Sequence, residues 1–220
     1  MSSVKIHRYE ADGIVVTYEA RRCIHAKECV QGLPTVFDSE RKPWVDPRAA
    51  KADAVVRVIE RCPTGALKYE RRDGGPQEAA PPKNTIRVEP DGPLYVHGRV
   101  RVDGADGQPV VSDTRVALCR CGQSALKPFC DGSHKKVGFR DAGTVSRPQI
   151  QTDAGKSGDG GLTIVAQANG SYAVSGDFEL LDAKGAVVAG GNAAWLCRCG
   201  GSGNKPFCDG THKKIGFKAP

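Results

Sequence analysis

Two stretches of this chain hold three cysteines and one histidine at the same spacing. The first is C-R-C-G-Q-S-A-L-K-P-F-C-D-G-S-H, from Cys119 to His134, and the second is C-R-C-G-G-S-G-N-K-P-F-C-D-G-T-H, from Cys197 to His212. Thiolates and imidazoles are ligands for transition metals in proteins. Four such donors within 16 residues predict a metal site, and the presence of a second copy argues against a chance arrangement of these residues.

The similarity between the two copies extends beyond the candidate ligands. A shift of 78 residues without gaps also pairs Gly98 with Gly176 and Phe139 with Phe217. Such a match is an internal repeat. A repeat is interpreted before local features because it determines the overall architecture. The candidate ligands are Cys119, Cys121, Cys130 and His134 in the first copy, and Cys197, Cys199, Cys208 and His212 in the second.

Three further cysteines, Cys23, Cys29 and Cys62, precede the repeat and bring the total to nine. A disulfide scaffold is the alternative interpretation, but the count is odd. The sequence begins without an apolar run typical of a signal peptide, which predicts a cytoplasmic location. Thiols in that compartment stay reduced, so metal ligation is the better explanation of the cysteines.

The charge and composition of the chain argue against some classes of binding partner. The formal net charge is +7, yet Lys and Arg are scattered rather than interleaved with aromatic residues, so nucleic-acid binding is not predicted. No stretch is apolar enough to span a membrane. The pairs Lys135–Lys136 and Lys213–Lys214 directly follow the candidate histidines. Basic charge beside each site predicts a protein partner with an acidic docking face.

Local patterns predict several elements. Val4–Tyr9 and Ile14–Tyr18 flank a D-G turn and predict a β-hairpin. Apolar positions at helical spacing predict a helix over residues 47–61, with Asp46 as its N-cap. The four-residue separation of Cys130 and His134 predicts that one turn of helix places both on one face.

The repeated motif resembles that of the CDGSH iron–sulfur domain family at every defining position, over residues 85–140 and 162–217. The resemblance implies one [2Fe–2S] cluster per copy, with Cys119 and Cys121 on the inner iron and Cys130 and His134 on the outer one. The second copy repeats the arrangement with Cys197, Cys199, Cys208 and His212. Family members with one motif form homodimers, so two motifs imply a monomer whose copies pack as an intramolecular pseudo-dimer about a pseudo-twofold axis.

Residues 4–70 resemble the divergent mono-cluster ferredoxin domains that often accompany such motifs. Cys23 and Cys29 take the first and third positions of the C-x2-C-x2-C pattern, and Cys62 before Pro63 supplies the remote ligand. Ala26 stands where the second cysteine would be. The three cysteines therefore imply a [3Fe–4S] cluster, or a [4Fe–4S] cluster with another donor, for which His25 is the nearest candidate.

These observations predict an α+β fold made of three folded segments and two linkers. In chain order, these are a ferredoxin-like domain (residues 1–70), a linker (71–84), the first CDGSH unit (85–140), a second linker (141–161) and the second CDGSH unit (162–220). Polar stretches rich in Gly and Pro mark both linkers.

The predicted function is electron transfer through two [2Fe–2S] clusters and one [3Fe–4S] or [4Fe–4S] cluster, without catalysis. Replacing a thiolate by neutral imidazole removes negative charge, so each histidine raises the reduction potential. Two alternatives stay open. The chain could be a cluster carrier or redox and pH sensor that donates its [2Fe–2S] units to apo-proteins. It could also be a zinc-binding interaction module, because Cys3His is also a zinc ligand set.

Overall fold

The computed structural model describes residues 5–153 and 160–220 and divides the chain into two compact units, Met1–Ala79 and Ala80–Pro220. Each unit has its own cluster of buried apolar side chains. The second unit contains both copies of the repeat, so the two copies share one core. No helix in the described ranges is both long and apolar enough to cross a membrane.

The first unit is a three-stranded antiparallel sheet covered by short helices. Strands β1 (Ile6–Ala11), β2 (Ile14–Glu19) and β3 (Leu67–Arg71) lie in that order across the sheet. The predicted hairpin is confirmed, although Val4 lies outside the described residues. Gly13 adopts a positive φ of 82° in its turn, a conformation that glycine accepts without strain. Helices α1 (Glu28–Gly32) and α2 (Ala52–Ile59) complete the unit, with 3₁₀ turns at Ala20–Arg22 and Pro47–Ala49.

The single helix predicted over residues 47–61 is interrupted. The Asp46 carboxylate accepts a hydrogen bond from the Arg48 N–H at 3.2 Å, but it caps only the 3₁₀ turn. Ala50 is extended, with φ −154°, and α2 begins two residues later. Ala50 and Ala52 both pack against the core, and the extended backbone of Ala50 and Lys51 separates the 3₁₀ turn from α2. From there α2 buries Val55, Val56, Val58 and Ile59, as the apolar spacing predicts.

The second unit is a seven-stranded sheet in which equivalent strands of the two copies recur at the 78-residue shift. Its strands are β4 (Thr85–Val88), β5 (Leu94–Asp103), β6 (Pro109–Leu118), β7 (Ile150–Gln151), β8 (Leu162–Ala166), β9 (Tyr172–Leu181) and β10 (Val187–Leu196). Two four-residue helices, α3 (Ser133–Lys136) and α4 (Thr211–Lys214), follow the cysteine-rich loops. The described residues are therefore mostly β with few helices, and the predicted α+β class overstates the helical part.

The two copies exchange strand pairings reciprocally. In the first copy, β4 pairs antiparallel with its own β5 and parallel with β9 of the second copy. In the second copy, β8 pairs antiparallel with its own β9 and parallel with β5 of the first. The register repeats as well, since Thr85 lies opposite Glu179 and Thr163 lies opposite Arg101. Neither copy completes its sheet without the other.

Asn84, at the end of the predicted 71–84 linker, joins the copies. Its side chain is buried, donates to the carbonyls of Gly160 (3.1 Å) and Asp177 (2.8 Å), and accepts from the Arg99 N–H (2.9 Å). A Cβ at Gly98 would lie 2.2 Å from the Asn84 amide oxygen, so glycine is required there. Asn84 thus belongs to the packed unit.

The segment between the copies also contributes to the second unit. Ile150–Gln151 forms β7, which pairs with β10. Asp141, at the start of the predicted 141–161 linker, pairs with a buried arginine described below. Residues 154–159 of that predicted linker lie outside the described residues.

Candidate metal centres

In the first copy the four candidate ligands form two close pairs. Cys119 and Cys121 follow β6, and their Sγ atoms lie 3.9 Å apart. Cys130 and His134 form the other pair, with 3.3 Å between Sγ and Nδ1. All four side chains are buried. Burial, followed by the charge of Lys135, lowers the pKa of His134, which favours the neutral imidazole that a metal requires.

The second copy repeats this geometry with one difference. The Cys197 and Cys199 sulfurs lie 3.8 Å apart, and Cys208 Sγ lies 3.3 Å from His212 Nδ1. Cys197 and Cys199 are buried, but Cys208 and His212 are only half-buried. The outer ligand pair is therefore more accessible to solvent in the second copy than in the first.

Backbone hydrogen bonds hold the first pair of ligands against the second. The Cys119 N–H donates to the Pro128 carbonyl at 2.9 Å, and the Cys130 N–H donates to the Ala117 carbonyl at 2.8 Å. The Ser124 hydroxyl closes the loop by donating to the Phe129 carbonyl at 2.6 Å. The same three bonds recur in the second copy at Cys197, Cys208 and Ser202.

Cys130 and His134 do not share a helix, contrary to the prediction. Helix α3 begins at Ser133, and Gly132 before it adopts a left-handed φ of 86°. The Asp131 carboxylate holds this turn by accepting from the Ser133 N–H (2.9 Å) and the Ala125 N–H (2.8 Å). A tight Asp-Gly turn, rather than helical periodicity, therefore brings the sulfur and the imidazole together.

Proximity of the sulfurs perturbs their protonation. Within each C-x-C pair, a hydrogen bond between the sulfurs lowers the pKa of one thiol and raises that of the other. The pKa is lowered to about 6 at Cys119 in the first copy and to about 6 at Cys199 in the second. Burial raises the pKa of Cys130 to about 12. Two thiols at this separation can lose their protons and bind one cation together as thiolates.

The two cysteine loops approach each other closely. A Cβ at Gly122 would lie 2.6 Å from the Cys199 carbonyl oxygen, and one at Gly200 would lie 2.8 Å from the Cys121 carbonyl oxygen. Both glycines have φ near 80°, so the contact requires glycine on two grounds. The two candidate centres are therefore neighbours within one packed unit.

An arginine lies between the first two ligands of each copy, and the sequence interpretation missed both. Arg120 and Arg198 are each 1% exposed. Arg120 donates to the carbonyls of Gly92 (2.9 Å) and Glu89 (2.6 Å) and forms an ion pair with Asp141. The sequence does contain a signal for these arginines, because an identical C-R-C in both copies places a charge between two cysteines that are predicted ligands.

Among the described residues, Arg198 forms no ion pair with an Asp or Glu side chain. Its Nη1 donates to the carbonyl of Gln167 (3.0 Å) and to the backbone oxygen of Pro220 (2.8 Å), the last residue of the sequence, while Nε and Nη2 are buried and have no hydrogen-bond partner in the described part of the chain. Its guanidinium lies 5.5 Å from the centroid of the buried Tyr172 ring. The Tyr172 hydroxyl is 2.9 Å from the Cys119 carbonyl and 2.8 Å from that of Pro128, so this ring links the two loops.

The three remaining cysteines line one cavity of about 650 Å³ in the first unit. Cys23 follows a 3₁₀ turn, Cys29 lies on α1 and Cys62 follows α2. Burial, with smaller effects from Cys62 and Cys23, raises the pKa of Cys29 to about 11. The structure therefore gathers the three predicted ligands around a common space.

Other residues of this cavity include the proposed fourth donor and an aromatic wall. His25 lines the cavity, is exposed and has a left-handed φ of 56°. Tyr18 and Trp44 also line the cavity, and their rings meet edge to face with centroids 4.8 Å apart. Burial, followed by a hydrogen bond with Cys23, raises the pKa of Tyr18. The sequence interpretation did not identify either aromatic residue as part of this site.

The distances within each pair of donor atoms fit two ligands of one metal ion. Two sulfurs on one tetrahedral metal at about 2.3 Å each lie about 3.8 Å apart, and a sulfur and an imidazole nitrogen lie about 3.6 Å apart. The observed separations of 3.9, 3.8 and 3.3 Å are close to these values. Across residues 5–153 and 160–220, no group of three or more Cys, His, Asp or Glu side chains is arranged to hold a single ion.

Comparison with known proteins agrees with both resemblances. Residues 9–72 match the family described as divergent 4Fe-4S mono-cluster. Residues 91–135 and 169–213 each match the family described as iron-binding zinc finger CDGSH type. The chain is also 39% identical over 64 residues to "Uncharacterized protein YjdI" of Escherichia coli K12 and to its counterpart in E. coli O157:H7. That alignment covers 29% of this chain and 84% of each relative.

The matched ranges contain all nine cysteines and both motif histidines described above. The chain is an iron–sulfur protein of the CDGSH domain family, with two tandem CDGSH motifs and an N-terminal divergent mono-cluster domain.

Proposed function

We propose that this protein transfers electrons through two [2Fe–2S] clusters, each held by three cysteines and one histidine, and a third cluster in the first unit. The pairing of the donors is the observation on which the proposal rests. A two-iron cluster needs two protein ligands on each iron. Cys119 with Cys121, and Cys130 with His134, provide two such pairs, and the second copy provides two more.

The proposed centres occupy an intramolecular pseudo-dimer. Reciprocal strand pairing and the mutual approach of Gly122 and Gly200 support this arrangement. A bound cluster supplies one-electron redox chemistry. The protein's own part is to hold the donors, keep water from the inner cysteines and fix the distance between the two sites. A sheet shared by both copies suits that role, because its strand pairing restrains the loops that carry the ligands.

In the first unit, Cys23, Cys29 and Cys62 are the proposed ligands of a [3Fe–4S] or [4Fe–4S] cluster. Their convergence on one cavity and the match to the mono-cluster family support this assignment. His25 lines the same cavity and is the proposed fourth donor if the cluster has four irons.

The proposed partner is a redox protein with an acidic docking face. Each motif histidine is followed by two exposed lysines and then by an exposed apolar residue, Val137 (51% exposed) or Ile215 (54%). Positive charge around a small apolar contact matches an acidic rim around an apolar centre on the partner.

Electron transfer is tested by cycling the anaerobic protein between dithionite and ferricyanide. We expect repeated, fully reversible bleaching of the visible absorption, with electron paramagnetic resonance signals of two mixed-valent two-iron centres. Irreversible loss of absorption in the first cycle would contradict the proposal. The matched variants Cys121→Ser and Cys199→Ser should each remove one of the two signals.

The half-buried Cys208–His212 pair favours a second function, donation of a [2Fe–2S] cluster to an apo-protein. The probe is an apo-ferredoxin mixed with the loaded protein and followed by circular dichroism. If donation is the function, His212→Cys slows transfer much more than His134→Cys, because the exposed pair opens first. Equal effects of the two variants, or no transfer, would leave electron transfer as the function.

A further inference from the structure

The cysteine loops of the two copies differ in the side chains around the outer ligands. Cys130 and His134 are buried in the first copy, whereas Cys208 and His212 are half-buried in the second. Three positions of the second loop carry smaller side chains than their equivalents in the first, namely Gly201, Gly203 and Asn204 in place of Gln123, Ala125 and Leu126. Fewer side-chain atoms are thus available to cover the ligands of the second site.

An exposed apolar side chain lies at the edge of this open loop. A Cβ at Gly201 would lie 3.1 Å from Ile215 Cδ1 and 3.8 Å from Cys199 Sγ. Ile215 is 54% exposed. Its apolar group therefore lies near an inner ligand of the second site and remains open to a partner.

An exposed tryptophan lies beside the outer cysteine of the same site. Leu196 and Phe207 form an antiparallel bridge, so the next pair, Trp195 and Cys208, lies opposite with both side chains on one face. The Cys208 N–H donates to the Trp195 carbonyl at 2.9 Å, which holds this pairing. Leu196 and Phe207 are buried on the inner face, whereas Trp195 is 45% exposed.

The first copy has its aromatic ring on the other strand of the equivalent pair. Ala117 takes the place of Trp195 and is buried, and Tyr95 opposite it takes the place of Ala173. Tyr95 is half-buried, and the Arg87 guanidinium lies 5.2 Å from its ring centroid. The second copy thus presents an exposed ring beside its outer cysteine, at a position where the first has a buried alanine.

Basic side chains adjoin these two apolar residues. Lys213 and Lys214 lie on α4, directly before Ile215, and both are exposed. Between residues 199 and 215 the sequence has three lysines and one acidic residue, Asp209. The Asp209 carboxylate accepts hydrogen bonds from two backbone N–H groups of its own loop. An apolar centre with a basic rim is complementary to an apolar centre with an acidic rim on a partner.

We propose that the redox partner docks on the second copy, over a surface that consists of Trp195, Ile215, Lys213 and Lys214. The inference rests on the proposed function, since it assumes a [2Fe–2S] cluster at each Cys3His site. One electron passes from the reduced centre of the partner, which is thereby oxidised, to the cluster at the second site. Tryptophan suits the middle of such a contact, because it is enriched among the residues that dominate binding. A small surface suits a redox partner that must dissociate after each transfer.

The test is reduction of the loaded, oxidised protein by fully reduced flavodoxin, an acidic one-electron donor, in an anaerobic stopped-flow experiment. The dependence of the transfer rate on flavodoxin concentration gives an apparent Kd. Trp195→Ala introduces the residue of the first copy and should raise this Kd about tenfold. Lys213→Glu combined with Lys214→Glu should also raise it and weaken its dependence on salt, because salt screens the attraction between opposite charges.

The first copy provides matched controls at equivalent positions. Lys135→Glu combined with Lys136→Glu makes the same charge change beside His134, and Val137→Ser matches Ile215→Ser. Ile215→Ser should raise the Kd and tests the same surface if Trp195→Ala loses its clusters. Both first-copy controls should leave the Kd nearly unchanged. Visible circular dichroism checks that every variant keeps its clusters.

The outcomes separate the inference from the proposed function. Weaker binding in the second-copy variants, with both controls unchanged, supports the inference. Equal effects of the two double-lysine variants, or a Kd unmoved by both Trp195→Ala and Ile215→Ser, overturn it. Failure of flavodoxin to reduce the unaltered protein also overturns it, while reversible reduction by dithionite leaves the proposed function in place. Failure of dithionite to reduce two-iron clusters would overturn both.

Discussion

Asp141→Ala is the substitution whose effect on the free energy of unfolding can be worked out most directly from the structure. The Arg120 side chain is completely buried, and the Asp141 carboxylate is its only anionic partner in the described part of the chain. Removing the carboxylate leaves the guanidinium with two carbonyl acceptors, those of Gly92 and Glu89. The substitution also removes the acceptor for the Gly143 N–H, which lies 3.0 Å away.

Breaking a buried ion pair from one side costs about 3–5 kcal/mol. Because two neutral acceptors remain on Arg120, we expect the lower end, about 3 kcal/mol. For a chain of this size each kcal/mol shifts the midpoint of thermal unfolding by about 2–4 °C, so the expected loss is about 6–12 °C. The cluster should be released in the same transition, because Arg120 lies between two of its proposed ligands.

The assay is anaerobic thermal unfolding followed by far-ultraviolet circular dichroism and by visible absorption. Glu179→Ala is the matched control, since it removes the same charge from the surface pair that Lys83 forms in the same unit. Surface pairs contribute about 0–1 kcal/mol, so this control should shift the midpoint by a few degrees at most. Equal shifts for Asp141→Ala and Glu179→Ala would refute the reasoning that Arg120 depends on its buried counter-charge.

Three further predictions concern other parts of the chain. His212→Cys should lower the potential of the second site alone, because thiolate adds the negative charge that imidazole lacks; an unchanged potential in the redox titration would contradict this. Tyr172→Phe should destabilise the second unit by about 1–2 kcal/mol in urea unfolding, since a buried carbonyl loses its donor; no loss would show that the hydroxyl bonds are dispensable. In the first unit, hydrogen bonds from Arg71 lower the pKa of Asp73 to about 2, so its carboxylate stabilises the fold above about pH 4 and this contribution is lost as the pH falls toward 2. Asp73→Asn should therefore flatten the decline of unfolding free energy between about pH 4 and 2 in urea titrations, and an unaltered slope would refute the assignment.

The spacing of the cysteines and histidines was informative because metal ligation is a local constraint. Ligand pairs such as Cys119 and Cys121 are two residues apart, and the loop geometry that joins them to Cys130 is encoded within 16 residues. The β1–β2 hairpin was predictable for the same reason, since the D-G turn and the flanking β-formers are adjacent.

Features that depend on distant residues were not predictable in this way. Alternation along β5 indicates a strand, but nothing local says that one end pairs with β4 and the other with β8 of the second copy. The helical prediction for Cys130 and His134 failed because a four-residue spacing is compatible with an Asp-Gly turn as well as with a helix. The ion pair between Arg120 and Asp141 joins residues 21 positions apart, and only the folded structure connects them.

The central claim is that three iron–sulfur centres reside in one chain, and it is tested most directly by counting metal and sulfide. Iron, zinc and acid-labile sulfide should be measured per chain on protein purified without air. Two two-iron clusters and a three- or four-iron cluster predict about seven or eight irons, about eight sulfides and no stoichiometric zinc. About four irons with four sulfides would remove the centre at Cys23, Cys29 and Cys62, and zinc without sulfide would contradict the account as a whole.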